Sequence, residues 1–102
     1  MTQDDSGAEL LFRETETFAE TYTDVRAWDV PVSDRYPEGV KYSMQYGERD
    51  GVTIIRYDNF PDHPGAATHH KHIGEDRVVD IEFTGVFDVY KQFKQEVDEH
   101  EH

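Results

Sequence analysis

Between residues 40 and 46 the chain alternates Val40, Tyr42, Met44 and Tyr46 with Lys41, Ser43 and Gln45. A period of two places one set of side chains on a core and the other in solvent, so this segment predicts a half-buried strand. Asp50-Gly51 follows it as a hairpin turn, and "VTIIRYD" reads as the partner strand. Upstream, Glu9 to Val30 is rich in Thr, Phe, Tyr, Val and Trp without a helical period. It predicts two strands, over 9–18 and 22–30, with a turn near Ala19–Thr21. Pro31 and Pro37 bracket a loop, and two prolines and a glycine make a second loop of Asn59–Thr68. "HHKHI" and "VVDIEF" are short strand candidates. The period then changes. Val86, Phe87, Tyr90, Phe93 and Val97 recur at helical spacing after Thr84, a candidate N-cap, predicting an amphipathic helix over 86–98.

These elements predict an α+β fold: a mostly antiparallel sheet of five or six strands with one C-terminal helix packed on it. No repeat or second domain is visible. Residues 1–8 read as a flexible N-terminus, 9–98 as a single domain and 99–102 as a frayed tail, and "DEHEH", residues 98–102, alternates acids with histidines.

Composition narrows the function classes. At 102 residues and 35% hydrophobic content the core must lean on six Phe, six Tyr and Trp28. No apolar run is long enough to span a bilayer, and "MTQDDSGAE" lacks the basic and apolar regions of a secretion signal. With no cysteine, disulfides and thiolate chemistry are excluded. Twenty-three acids against ten bases leave a net charge of −13, spread along the chain rather than gathered in a tail. Excess carboxylates of this kind keep a protein hydrated at high salt, where their repulsion is screened, and point to a halophilic cytoplasm. An acidic interaction protein is the other class such a balance fits.

Against that background "DHPGAATHHKHI", residues 62–73, stands out with four of the six histidines and one of four lysines. In an extended strand His70 and His72 share one face, and His69, Lys71 and Ile73 the other. With Ile73 toward the core, His70 and His72 form the better-placed acid–base pair. Between Thr53 and Gly74, Arg56 and Lys71 balance Asp58 and Asp62, so the segment is a neutral island in an acidic chain. Such an island suits phosphate recognition, with Tyr57, Asn59 and Phe60 available to hydrogen-bond or stack on a base. A metal site is the rival: His63, His69, His70 and His72, with Asp58 or Asp62, hold enough nitrogen and oxygen donors. The spacing matches no established ligand pattern, and Lys71 places a positive charge beside any cation. A solvated polar loop is the plain alternative. No Gly-rich phosphate loop or G-x-S-x-G elbow occurs.

The succession "FRETETF", "AWDVP", "GVKYSMQYG", "IIRYDNFPDHP" and "HHKHI", closed by the amphipathic helix, resembles the TumE family of toxin–antitoxin proteins. The resemblance covers residues 9 to about 98 and is most specific at "RYDN" and "HHKH". It implies a toxin encoded beside a cognate antitoxin, commonly a helix-turn-helix protein, with RNA cleavage the suspected activity. The matching positions are Arg56, Tyr57, Asp58, Asn59, His69, His70, Lys71 and His72. The chain differs from the pattern in its acidity and in the longer "PGAAT" spacer. Together these readings predict a metal-independent endoribonuclease without cofactor. His70 and His72 would divide the acid and base roles, Lys71 and Arg56 would stabilise phosphoryl charge, and Tyr57, Asn59 and His69 would bind RNA. A non-enzymatic interaction module and a metal-dependent hydrolase are the alternatives.

Overall fold

The computed structural model describes residues 8–59, 69–74 and 77–100. The expected loop from Asn59, with Phe60, Asp62 and His63, lies outside the described residues beyond Asn59 itself. Among the described residues, six strands, β1 (Glu9–Thr17), β2 (Thr21–Asp29), β3 (Val40–Glu48), β4 (Thr53–Asp58), β5 (His70–Ile73) and β6 (Arg77–Asp80), precede a single helix, α1 (Val86–Asp98). They form one sheet in the order of the chain, every neighbouring pair antiparallel. The α+β reading therefore holds.

Local chemistry accounts for the tight connections. The Phe18 N–H donates to the Thr21 carbonyl at 2.8 Å, closing the β1–β2 turn. In the β3–β4 hairpin the Gly51 N–H donates to the Glu48 carbonyl at 3.0 Å, and Gly51 adopts φ +116°, a conformation that side chains oppose. Gly47 is required for a different reason: a Cβ there would meet the Val52 carbonyl oxygen at 2.7 Å. The register steps at this point from Tyr46↔Ile55 to Gly47↔Thr53, a bulge that skips Ile54.

Strict alternation decides which face is covered. Val25 and Ala27 of β2, Tyr42, Met44 and Tyr46 of β3, and Ile55 and Tyr57 of β4 are buried together. Val86, Val89, Phe93 and Val97 of α1 close over them. The helix is amphipathic as its spacing predicted, with two corrections. Phe87 is 62% exposed and stacks on Phe12, while Val89 takes the inward position. The buried set 86, 89, 93, 97 follows the 3.6-residue turn more closely than a stripe through position 87. Thr84 is not the N-cap: Gly85 is, and the Thr84 hydroxyl donates to the Asp88 carboxylate at 2.9 Å. β6 also stops at Asp80 rather than reaching Phe83. Ile81 and Phe83 leave the ladder to pack against the core.

Candidate active site

β4 and β5 pair in the register Ile55↔Ile73, Arg56↔His72, Tyr57↔Lys71 and Asp58↔His70. Alternation sends Ile55, Tyr57, Lys71 and Ile73 to the helix side, and Arg56, Asp58, His70 and His72 to the other. The cross-strand pairing itself therefore gathers one carboxylate, one guanidinium and two imidazoles on one face.

Asp58 is its centre. The carboxylate is fully buried, and Arg56 Nε donates to its Oδ2 at 2.8 Å. His70 Nε2 lies 3.1 Å from Oδ1, with both side chains fully buried. His72 Nε2 lies 3.9 Å from Oδ2, and its side chain retains 14% exposure. The two imidazoles meet edge to face at 4.9 Å between centroids. A carboxylate withdrawn from water is stable only among such donors and cations. Arg56, at 34% exposure, carries the charge of the cluster out toward solvent.

Lys71 goes elsewhere. Its Nζ donates to Glu96 of α1 at 3.1 Å and lies 5.5 Å from the centre of the Tyr57 ring. The Tyr57 hydroxyl donates to the same Glu96 carboxylate, and its ring packs edge-on against Phe93. Burial, and then the hydrogen bond and charge of Glu96, push the Tyr57 phenol well above the ordinary tyrosine range. The structure thus does not bring Lys71 to the face of His70 and His72; with Tyr57 it ties the helix to the sheet.

His69 and Asn59, expected to bind RNA, are also committed inside the fold. His69 stacks on Phe83 with centroids 4.1 Å apart, and its Nδ1 meets the Tyr42 hydroxyl at 2.9 Å. Its Nε2 meets Glu38 Oε1 at 3.0 Å. A carboxylate only accepts, so Nε2 donates to Glu38, and in the neutral imidazole Nδ1 then accepts from the Tyr42 hydroxyl. Burial first, then the charges of Asp58 and Glu38, raise the Tyr42 phenol far above its ordinary range. Asn59 prolongs the sheet with its side chain: Oδ1 accepts from the Tyr42 N–H at 3.0 Å and Nδ2 donates to the Val40 carbonyl at 2.8 Å.

One ligand atom from each of Asp58, His70 and His72 falls within 4.8 Å of the others, a set able to hold a divalent ion. The alternative metal quartet is not brought together among the described residues: His69 faces the helix side, and His63 lies outside them. Sequence reasoning gave Asp58 a part only as an alternative metal ligand and a family-matched position, not as the centre of the cluster, although its place two residues after Arg56 on an alternating strand is a readable signal. Glu38 and Glu96 had no such signal, since their partners are 31 and 25 residues away.

No curated protein and no solved structure matches the chain. A family model described as Toxin TumE matches residues 3–101. The chain therefore belongs to the TumE toxin family, and with that family it is a toxin of a toxin–antitoxin system whose partner is a cognate antitoxin.

Proposed function

We propose that this toxin is an endoribonuclease in which His72 is the group that meets the RNA. The observation that supports the reading is the Asp58-centred cluster, which sets two imidazoles and a guanidinium on one face with graded exposure. His72 takes the proton of a ribose 2′-hydroxyl. The 2′-oxygen then bonds to the adjacent phosphorus, and the bond from phosphorus to the 5′-oxygen breaks. That oxygen leaves with a proton returned from the imidazolium, giving a 2′,3′-cyclic phosphate and a 5′-hydroxyl end. Arg56 offsets the charge that grows on the phosphoryl oxygens. His70, fully buried beside Asp58, is a positioning residue that holds the carboxylate against which His72 becomes charged. In this reading the unequal exposure favours His72 over an equal division of acid and base roles between the histidines. Lys71, turned toward Glu96, passes its expected part to Arg56.

A second reading draws on the separation of the Asp58, His70 and His72 ligand atoms, all within 4.8 Å. There the three residues hold a divalent cation that activates water. One experiment separates the two. Purified protein in high KCl, exhaustively chelated, should still cleave single-stranded RNA and leave cyclic phosphate ends. Cleavage lost on chelation and restored by one divalent ion assigns the cluster to a metal. No cleavage of any RNA in either condition favours an interaction module.

A further inference from the structure

The sheet has two faces, and α1 closes over the one that carries Val25, Tyr42 and Tyr57. The opposite face, which holds the Asp58 cluster, bears no described helix. Its residues on β2, and on β3 as far as Gln45, are no more than half-buried. Charge is unequally divided between the two faces. In a chain of net charge −13, the described strands send Arg13, Arg26, Lys41 and Arg56 to the open face against Asp24, Asp58 and Asp80. The open face is thus locally positive before either imidazole gains a proton.

Register sets these groups in neighbouring rows across the sheet. One row runs Arg13, Arg26, Ser43, Asp58 and His70, and the next runs Asp24, Gln45, Arg56 and His72. Two arginine–carboxylate pairs of the same spacing therefore stand on β2 and β4, two strand spacings or roughly 10 Å apart. In each the carboxylate takes the Nε side: Arg26 Nε donates to Asp24 Oδ1 at 3.4 Å with Nη2 3.1 Å from Oδ2, and Arg56 Nε donates to Asp58 Oδ2 at 2.8 Å. Such a pair orients the guanidinium and leaves the N–H groups of Nη1 for a further acceptor. Arg13, exposed on β1, lies directly opposite Arg26. Like charges facing across a ladder are unfavourable, and Asp24 offsets only one of the two. An anion laid between them removes the conflict. Beside this row Trp28 pairs with Lys41, whose Nζ lies 5.6 Å from the centre of the indole ring.

We propose that single-stranded RNA runs across this open face from His72 on β5 to Arg13 on β1, with phosphates at Arg56, Arg26 and Arg13 and one base stacked on Trp28. The proposal rests on the ribonuclease reading for its starting point, the phosphate at His72, and adds the path of the strand away from it. The chemistry selects the occupant. A nucleic-acid strand offers phosphate at regular intervals, as the face offers guanidinium groups on β4, β2 and β1, and the fork of each matches paired phosphate oxygens. Phosphate contacts weaken as salt rises, so a ring that accepts any base supplies what they lose. A base displaces Lys41 from the indole, because stacking outweighs a solvent-exposed cation–ring contact, and the ammonium then meets phosphate. An A-form duplex hides its base faces, so only an unpaired strand has one to set on Trp28. An acidic peptide would use the arginines and leave the ring idle.

The test titrates the full chain with a 2′-O-methyl oligonucleotide, which lacks the free 2′-hydroxyl that cleavage needs, over a range of KCl in which the protein stays folded. Trp28 is the only tryptophan, so its fluorescence reports this face directly and should be quenched to saturation. Arg13→Gln and Arg26→Gln should each weaken binding severalfold at an unchanged melting temperature. Together they should flatten the slope of log affinity against log salt by about 1.4, the share of two phosphate contacts on a single strand. Lys91→Gln, which removes an exposed cation from α1, should do neither. In cleavage assays the arginine variants should raise KM more than they lower kcat. Failure to bind, binding that leaves Trp28 unquenched, or an equal loss in Lys91→Gln overturns the proposal. So does a glutamate oligopeptide that quenches Trp28 with the same affinity, which assigns the face to an acidic protein segment. Cleavage with an unchanged KM in both arginine variants overturns it too, and leaves the ribonuclease reading standing. Arginine-dependent binding without cleavage of any RNA supports the path and removes the ribonuclease reading.

Discussion

His70 Nε2 and Asp58 Oδ1 stand 3.1 Å apart with neither side chain exposed. A buried pair of this kind is expensive to break from one side, because the remaining charge keeps its burial and loses its partner. His70→Ala should therefore lower unfolding stability by about 3 kcal/mol, toward the lower end for such pairs because Arg56 still holds the carboxylate. His72, partly exposed and 3.9 Å away, should behave in the opposite way. His72→Ala should change stability by less than about 1 kcal/mol and reduce RNA cleavage by about 10²- to 10⁴-fold. Denaturant titration beside a cleavage or growth-arrest assay reads both. A toxic, fully active His72→Ala protein would remove it from the chemistry.

The two cations near the histidines should separate in the same way. Lys71 bridges to Glu96 on the helix side, whereas Arg56 lies beside Asp58 on the other. Lys71→Ala should leave the cleavage rate within a few-fold and slightly lower the melting temperature. Arg56→Lys keeps the charge and loses the Nε geometry, and should slow cleavage by about 10-fold or more. Rates affected equally by both changes would return Lys71 to the site.

High pH should expose the buried phenols. The Tyr42 and Tyr57 hydroxyls are raised in the fold, mainly by burial, so they remain protonated where free tyrosines ionise. Above about pH 10, the ordinary tyrosine value, the unfolded chain binds fewer protons than the native one. Stability should then fall as pH rises, having been level below that point. Tyr57→Phe should make the fall shallower between about pH 10 and 11.5. An identical slope in that variant would mean that its phenol is not held back by the fold.

Salt should act on the whole molecule. A net charge of −13 on 102 residues repels itself at low ionic strength. The melting temperature should rise substantially from dilute buffer to molar KCl, where the Debye length shrinks to about 3 Å. A flat or falling curve leaves the acidity to be explained by partners.

The strands and the helix were legible because each depends on local pattern. Alternation over 40–46, Asp50-Gly51 and the helical spacing of Val86, Phe93 and Val97 are written within a few residues, and the elements form where they predict. Phe87 and Thr84 misled for the same reason. Periodicity allows either Phe87 or Val89 on the margin of a stripe, and only contact with the sheet chooses Val89. Thr84 has the right chemistry for a cap, but the chain enters the helix through Gly85 and its hydroxyl turns to Asp88.

The site divides along similar lines. Sequence alone determined that His70 and His72 share a face and that Lys71 and His69 take the other, because strand geometry is a property of neighbours. It also determined an acidic protein without thiol chemistry, carrying one neutral, histidine-rich segment. The tertiary structure decided what those faces meet. Register placed Asp58 opposite His70 and so built the cluster; α1 brought Glu96 to Lys71 and Tyr57; Glu38 and Tyr42 claimed His69, and β3 claimed Asn59. Burial and partner choice depend on residues distant in the chain, and the same residue types read as reactive in sequence are, once paired and covered, ordinary parts of the core.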